Sequence, residues 1–319
     1  TTLFPYTTLF RSIMITKKAL NKDCFKREWV YMDSARDAWS EIIEKYKILH
    51  PNGKILLPAY IGWSANEGSG IFDSVVKSCL AYDFYGLEMH LEIDVDDLKI
   101  KTSKNENPLV LLVHYFGFMD SRYAEIASWL EENNIFFVED CAHAWLTDLI
   151  GGKCGRRGNF SFYSLHKLLP VATGGVMVNN LPEGNNKKEI NPFFELNYDL
   201  FSIAAIRRSN YNYLVKLLLD IKGIEVIYKN LKEGVCPQTL PVIVKNYDRT
   251  TLYNKMNEAG FGMVSLYHTM IDNLKDSPFE APTVLAKKII NFPVHQDISK
   301  SDIDQMVKEI KRILNAKSL

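Results

Sequence analysis

Three short apolar runs constrain this chain more than any other feature. KILLP (Lys54 to Pro58), PLVLLVH (Pro108 to His114) and NIFFVED (Asn134 to Asp140) recur at intervals long enough for crossover helices. Such runs suit the interior of a parallel sheet, where helices cover both faces. Between the second and third, Ser121 to Glu132 reads as a helix whose apolar side carries Tyr123, Ile126, Trp129 and Leu130. Ahead of the first, Ser34 is placed to cap a helix with Ala38, Trp39, Ile42, Ile43 and Tyr46 at helical spacing. Gly174 to Asn179 (GGVMVN) adds a strand after a loop, so roughly the first 180 residues form an α/β layer.

The polar stretch Leu181 to Asn191, with Gly, Pro and Lys, marks a boundary. Beyond it come a long helical segment (Ile203 to Asp220), a strand (Leu240 to Val244), a helix from Arg249 to Ala259 stopped by Gly260, and an amphipathic closing helix (Asp302 to Ala316). The expected organisation is a non-native tail over 1–13, a large domain over 14–190 and a smaller C-terminal domain with its linking helix over 191–319. The tail is set aside because TLFPYTTLFRS (Thr2 to Ser12) looks like the translation of a sequencing-library adapter; the natural start is expected near Ile13 or Met14.

Composition narrows the function classes. The 319 residues carry 38 Lys+Arg against 38 Asp+Glu, a balance that argues against a nucleic-acid partner. Hydrophobic residues at 47% and charged residues at 24% are those of a globular protein, not of a disordered or collagen-like chain. No apolar run approaches membrane-spanning length and no leader pattern opens the chain, so no membrane partner and a cytoplasmic location are expected. The five cysteines are scattered without CxxC spacing, which indicates neither a disulfide framework nor a zinc site.

In open parallel sheets ligands bind beyond the carboxyl ends of the strands. Asp140 and His114 end their strands, and the helix after Ser34 offers N–H groups to an anion. Lys167 follows an aromatic strand and precedes the Gly174–Gly175 pair, which lets a backbone approach a ligand closely.

At this point the chain resembles the pyridoxal-phosphate-dependent aminotransferases of the DegT/DnrJ/EryC1/StrS type. Four blocks carry the likeness: SARDAW (Ser34 to Trp39), VEDCAHA (Val138 to Ala144), FSFYSLHKLLPVATGG (Phe160 to Gly175) and NFPVHQDIS (Asn291 to Ser299). The resemblance implies the aspartate-aminotransferase fold (fold type I), with a mostly parallel sheet in the large domain and a smaller α+β domain. It implies pyridoxal phosphate as cofactor, held covalently by Lys167, with Asp140 facing the pyridine nitrogen and His143 against the ring or its phenolic oxygen. Ser34, Ala35 and Arg36, together with Ser164, would bind the phosphate, although Ala35 replaces the glycine of the family block; Ser161 offers a different register. Tyr60, or nearby Trp63, would stack on the ring. His268 and His295 could line the substrate entrance, with His295 more suited to fixing the start of the last helix.

The implied activity moves an amino group from glutamate or glutamine to a keto sugar or sugar-nucleotide, within a homodimer. Asn197 is a weak candidate to reach the neighbouring subunit's site, since Leu196-Asn197-Tyr198-Asp199 departs from the family wording. Two alternatives remain at this point: a related dehydratase, which Lys167 weighs against because dehydratases of the family carry histidine there, and a non-catalytic binding protein that keeps the fold.

Overall fold

The computed structural model of the chain describes residues 28–181 and 197–315. The N-terminal tail and the boundary expected at residue 190 lie outside the described residues.

Helix α1 (Ala35–Leu49) begins where its cap predicts. Ser34 is extended at φ −151°, and its Oγ accepts the Asp37 N–H at 3.1 Å. That hydroxyl satisfies one of the donors a helix start leaves open. Ala38, Trp39, Ile42, Ile43 and Tyr46 form the buried stripe, and Trp39 stacks on Phe162 with ring centroids 5.6 Å apart.

Seven strands form the main sheet: β1 (Glu28–Met32), β2 (Lys54–Pro58), β3 (Ala81–Tyr85), β4 (Pro108–Val113), β5 (Phe136–Asp140), β6 (Phe160–Ser164) and β7 (Gly175–Asn179). Their spatial order is β1-β7-β6-β5-β4-β2-β3; the five strands from β6 to β3 are parallel, while β7 and β1 run antiparallel to their neighbours. Helices α2 (Phe72–Ser78), α3 (Val95–Ser103), α4 (Tyr123–Glu132) and α5 (Trp145–Leu149) connect the strands. The two strands without a clear apolar signature, β1 and β3, are the sheet edges, where one face meets solvent and the sequence mixes polar with apolar residues.

The C-terminal unit holds α6 (Leu200–Leu218), β8 (Ile224–Val226), β9 (Thr239–Val244), α7 (Arg249–Glu258), α8 (Asp272–Lys275), α9 (Glu280–Lys288), β10 (Ile289–Pro293) and α10 (Lys300–Asn315). Its three strands form an antiparallel sheet in the order β10-β9-β8. One continuous hydrophobic cluster, from Ala38 and Trp39 of α1 to Ile310 and Ile313 of α10, runs through both units. None of the described helices is long and apolar enough to cross a membrane.

The sheet order brings the site together. The carboxyl ends of β5 and β6 are adjacent, and Gly175 at the start of β7 pairs with Ser164 on one side and Met32 on the other. A Cβ at Gly175 would overlap the Ser34 carbonyl and the Ala35 nitrogen, so glycine here lets the start of α1 press onto the sheet. Gly174, at φ +135°, makes the turn that delivers it.

Candidate active site

A cavity opens at this junction. Ala35, Arg36, Gly70, Asp140, Lys167 and Tyr267 are among the residues that line it. Asp140 is 5% exposed, and one carboxylate oxygen accepts the Ala142 N–H at 2.9 Å. Burial raises its pKa, opposed by the Lys167 charge, the Ala142 N–H and His114. Lys167 lies in the turn after β6 with its Nζ 3.0 Å from His143 Nε2. Burial pushes its amine below the ordinary lysine range, against the influence of Asp140 and Glu67.

His143, 3% exposed, accepts the Phe116 N–H on Nδ1 at 3.1 Å. Burial pushes the ring well below the usual histidine pKa, and an ammonium on Lys167 would push it the same way. Phe116 lies nearly parallel to it at 5.9 Å.

The start of α1 forms the opposite wall. Ser34 Oγ is engaged by Asp37, accepting its N–H and donating to its carboxylate at 2.6 Å, so the hydroxyl acts as the helix cap. Helix geometry leaves the first-turn N–H groups without intrahelical acceptors, and together with the macrodipole they favour an anion. The Arg36 guanidinium donates to the Glu67 carbonyl at 2.5 Å and lies 3.8 Å from Asp73, which ties it to the segment ahead of α2. Ser164 ends β6, fully buried, with its Oγ 3.2 Å from His166 Nδ1. Ser161 points elsewhere, to the Gly155 carbonyl and Tyr163.

The aromatic expectations separate. Tyr60 is buried just past β2, 5.2 Å from Tyr267 and 5.5 Å from Tyr115, whose hydroxyl donates to the Tyr60 carbonyl. Tyr60 is absent from the cavity lining, where the aromatic rings are Phe162 and Tyr267. Trp63 is 45% exposed and borders a separate surface depression with Phe72 and Lys77. His268 is exposed beside the Ser265 carbonyl, and His295 offers its own carbonyl to Asn210 ahead of α10. Asn197 is exposed at φ +51°.

Two residues escaped sequence reasoning. Tyr267 comes from the C-terminal unit, in a left-handed conformation at φ +60°, and no local pattern marks it. Glu139, beside Asp140 on β5, is fully buried and accepts five hydrogen bonds: His114 Nε2 (2.8 Å), Tyr123 Oη (2.9 Å) and the Gly155 N–H (2.6 Å) on one oxygen, and the Arg157 and Gly158 N–H groups (2.9 Å each) on the other. Burial alone would raise its pKa, but His114 and the Gly158 and Gly155 amides overcome it and hold the carboxyl at about 2. Its position within Glu139-Asp140 was the available signal. Cys141 and Cys154 are buried thiols with sulfurs 4.0 Å apart, close to His114, whose Nε2 is engaged by Glu139. Spacing along the chain does not reveal such a cluster.

Residues 88–191, which contain Asp140, His143, Ser164 and Lys167, match a family profile. The profile is that of the DegT/DnrJ/EryC1/StrS aminotransferase family, and the match spans about a third of the chain. A GDP-perosamine synthase from Vibrio cholerae is 26% identical over 186 residues, 51% of this chain and 49% of that protein. The matched stretch thus spans about half the length of that relative. Among solved structures, the aminotransferase TlmJ from Streptoalloteichus hindustanus superposes with a TM-score of 0.75 at 16% identity, covering 93% of this chain and 89% of that one. Helicobacter pylori PseC, an aminotransferase involved in the biosynthesis of pseudoaminic acid, gives 0.74 at 14% identity over 92% and 89%. An E. coli GDP-4-keto-6-deoxy-D-mannose-3-dehydratase with bound hydrated PLP gives 0.72 at 18% identity over 91% and 89%. The fold is the expected pyridoxal-phosphate fold type I. The dehydratase structure holds PLP, the cofactor that the sequence resemblance implies for this chain.

Proposed function

We propose that this chain is a pyridoxal-phosphate-dependent aminotransferase that moves an amino group from an amino acid, glutamate or glutamine, to the keto group of a sugar or sugar-nucleotide. The observation that carries this reading is the meeting of Lys167 and Asp140 in one cavity facing the start of α1. The residues suit the cofactor. Lys167 offers a buried amine of lowered pKa, Asp140 a buried carboxylate, and α1 a helix N-terminus against which Gly175 leaves no side chain in the way. When bound, pyridoxal phosphate supplies an electron sink for the carbanion at the substrate carbon.

The chain's own groups do the rest. Asp140 would hold the ring nitrogen protonated through a charge-assisted hydrogen bond, a bond of about 1.5–3 kcal/mol. The α1 N-terminus, with Ser164 behind it, offsets the phosphate charge. The Lys167 amine would move a proton at the substrate carbon, a task that needs a pKa near the working pH. Burial moves it in that direction. His143 orients the amine through its 3.0 Å contact.

The dehydratase alternative loses ground on geometry. Lys167, and not its neighbour His166, reaches into the cavity with Asp140, while His166 is exposed and turned to Ser164. The test is a panel of keto-sugar nucleotides, free ketosugars and keto acids, read as consumption of glutamate or glutamine. Turnover of a keto-sugar with either donor is expected; dehydration without donor consumption, or turnover of simple keto acids alone, overturns the proposal.

A further inference from the structure

The wall behind Lys167 sets the protonation of its neighbour. A backbone N–H can only donate, so the 3.1 Å contact from Phe116 makes Nδ1 of His143 the accepting nitrogen. A neutral imidazole carries one proton, which then sits on Nε2, 3.0 Å from Lys167 Nζ. An Nε2–H group needs a lone pair opposite it. An ammonium has none, and a free amine has one.

We propose that the Phe116 backbone amide is a positioning group that locks His143 as its Nε2–H tautomer, and that His143 thereby holds Lys167 as the neutral amine. This deepens the function proposed above and rests on Lys167 being the cofactor lysine, since only an unprotonated amine attacks an aldehyde.

The other protonation states fit badly. An Nδ1–H tautomer would face the Phe116 N–H donor to donor, and an imidazolium would place a second cation 3.0 Å from the lysine nitrogen in a buried wall. The charged and titratable groups around Lys167 are Asp140, Glu67, His143, His166, Arg36 and Tyr267. Asp140 and Glu67 favour the ammonium, whereas burial and the His143 donor favour the amine.

The Phe116 amide is itself held firmly. Phe116 adopts φ +57°, uncommon for a bulky side chain, and its carbonyl accepts the Gln238 N–H at 2.8 Å. Gly117, at φ +97°, lies against the Cys236–Gln238 backbone with no room for a Cβ. Thr147 Oγ1 donates to the Gly117 carbonyl and accepts the Cys236 N–H, both at 2.9 Å. A segment of the C-terminal unit therefore fixes the turn that fixes the histidine.

The test uses the whole cofactor-free chain with two readouts other than turnover. In ¹⁵N spectra of labelled histidine, His143 should be a neutral ring protonated at Nε2; protonation at Nδ1, or at both nitrogens at pH 7, overturns the proposal. The second readout is the rate at which pyridoxal phosphate modifies Lys167, trapped by borohydride and followed against pH. His143→Gln keeps an acceptor for Phe116 and a donor for Lys167, so the pH at which capture rises should stay within about half a unit of the parent's, whatever its absolute rate; an upward shift as large as that of His143→Glu overturns the proposal. His143→Glu accepts from Phe116 but pairs with an ammonium, so capture at pH 7 should slow about tenfold or more and the rise with pH should shift up by about one unit. Equal rates and profiles for His143→Glu and the parent overturn the proposal, and if that variant does not fold, the parent's spectrum decides. A parent chain that takes up no pyridoxal phosphate refutes the function proposed above, and the spectrum still decides the tautomer.

Discussion

Glu139→Gln tests how Asp140 is held at the end of β5. In the least costly arrangement the new amide NH₂ faces the side of His114, Tyr123 and Gly155. The tyrosine hydroxyl can turn to accept and the imidazole can change tautomer, but the Gly155 N–H cannot, so one buried backbone donor meets a donor, at about 1–3 kcal/mol. The remaining bonds lose their charge assistance, which brings the total to about 3 kcal/mol. The ionisation of the same hydrogen-bonded carboxyl is consistent with this: held at about 2 against 4.5 when free, it corresponds to about 3 kcal/mol. Because the folded pKa is depressed, that stability is fully present above pH 4.5 and is lost as the pH falls toward 2. At an unfolding entropy of about 2.1 cal/mol/K per residue, 3 kcal/mol lowers the melting temperature of this chain by about 5 °C. Calorimetry at pH 7 should show that drop, and the gap between parent and variant should narrow below about pH 4.5. A variant within about 1 °C of the parent at pH 7 would show that Glu139 does not act as the shared acceptor for these five donors.

Borohydride reduction of the cofactor-loaded protein followed by peptide mapping should place the label on Lys167, and a label on another lysine removes that assignment. Asp140→Asn should keep some cofactor yet lose about 10- to 150-fold in turnover, the equivalent of one charge-assisted hydrogen bond; turnover at the parental rate would reduce Asp140 to a structural cap. Gly175→Ala forces a methyl group into the Ser34 carbonyl, so stability should fall by about 1–3 kcal/mol and cofactor affinity with it; unchanged cofactor titrations would separate the α1 start from cofactor binding. A homodimer with shared sites predicts that inactive Lys167→Ala chains mixed with Asn197-altered chains regain activity; a fully active monomer by light scattering would end the dimer proposal, and failed complementation alone would remove only Asn197.

What the sequence determined by itself is local. The runs 54–58, 108–114 and 134–140 became strands β2, β4 and β5 because an uninterrupted apolar stretch of that length is stable only with both faces covered. Ser34 began α1 because a short hydroxyl reaches its own third N–H, a contact needing no distant partner. Asp140 at the end of its run and Lys167 between strand and glycines were legible for the same reason. Tertiary structure decided who meets whom. Tyr267 reaches the cavity from a segment that approaches only when the C-terminal unit docks on the shared hydrophobic cluster, and its ring lies 5.2 Å from that of Tyr60. Phe116 aims its amide at His143 because Cys236–Gln238 fixes a left-handed turn, and Glu139 collects donors from three separate stretches of chain. Cap and strand signals depend on neighbours a few residues away, whereas these contacts depend on sheet order and on packing between elements far apart in sequence, for which no local periodicity exists.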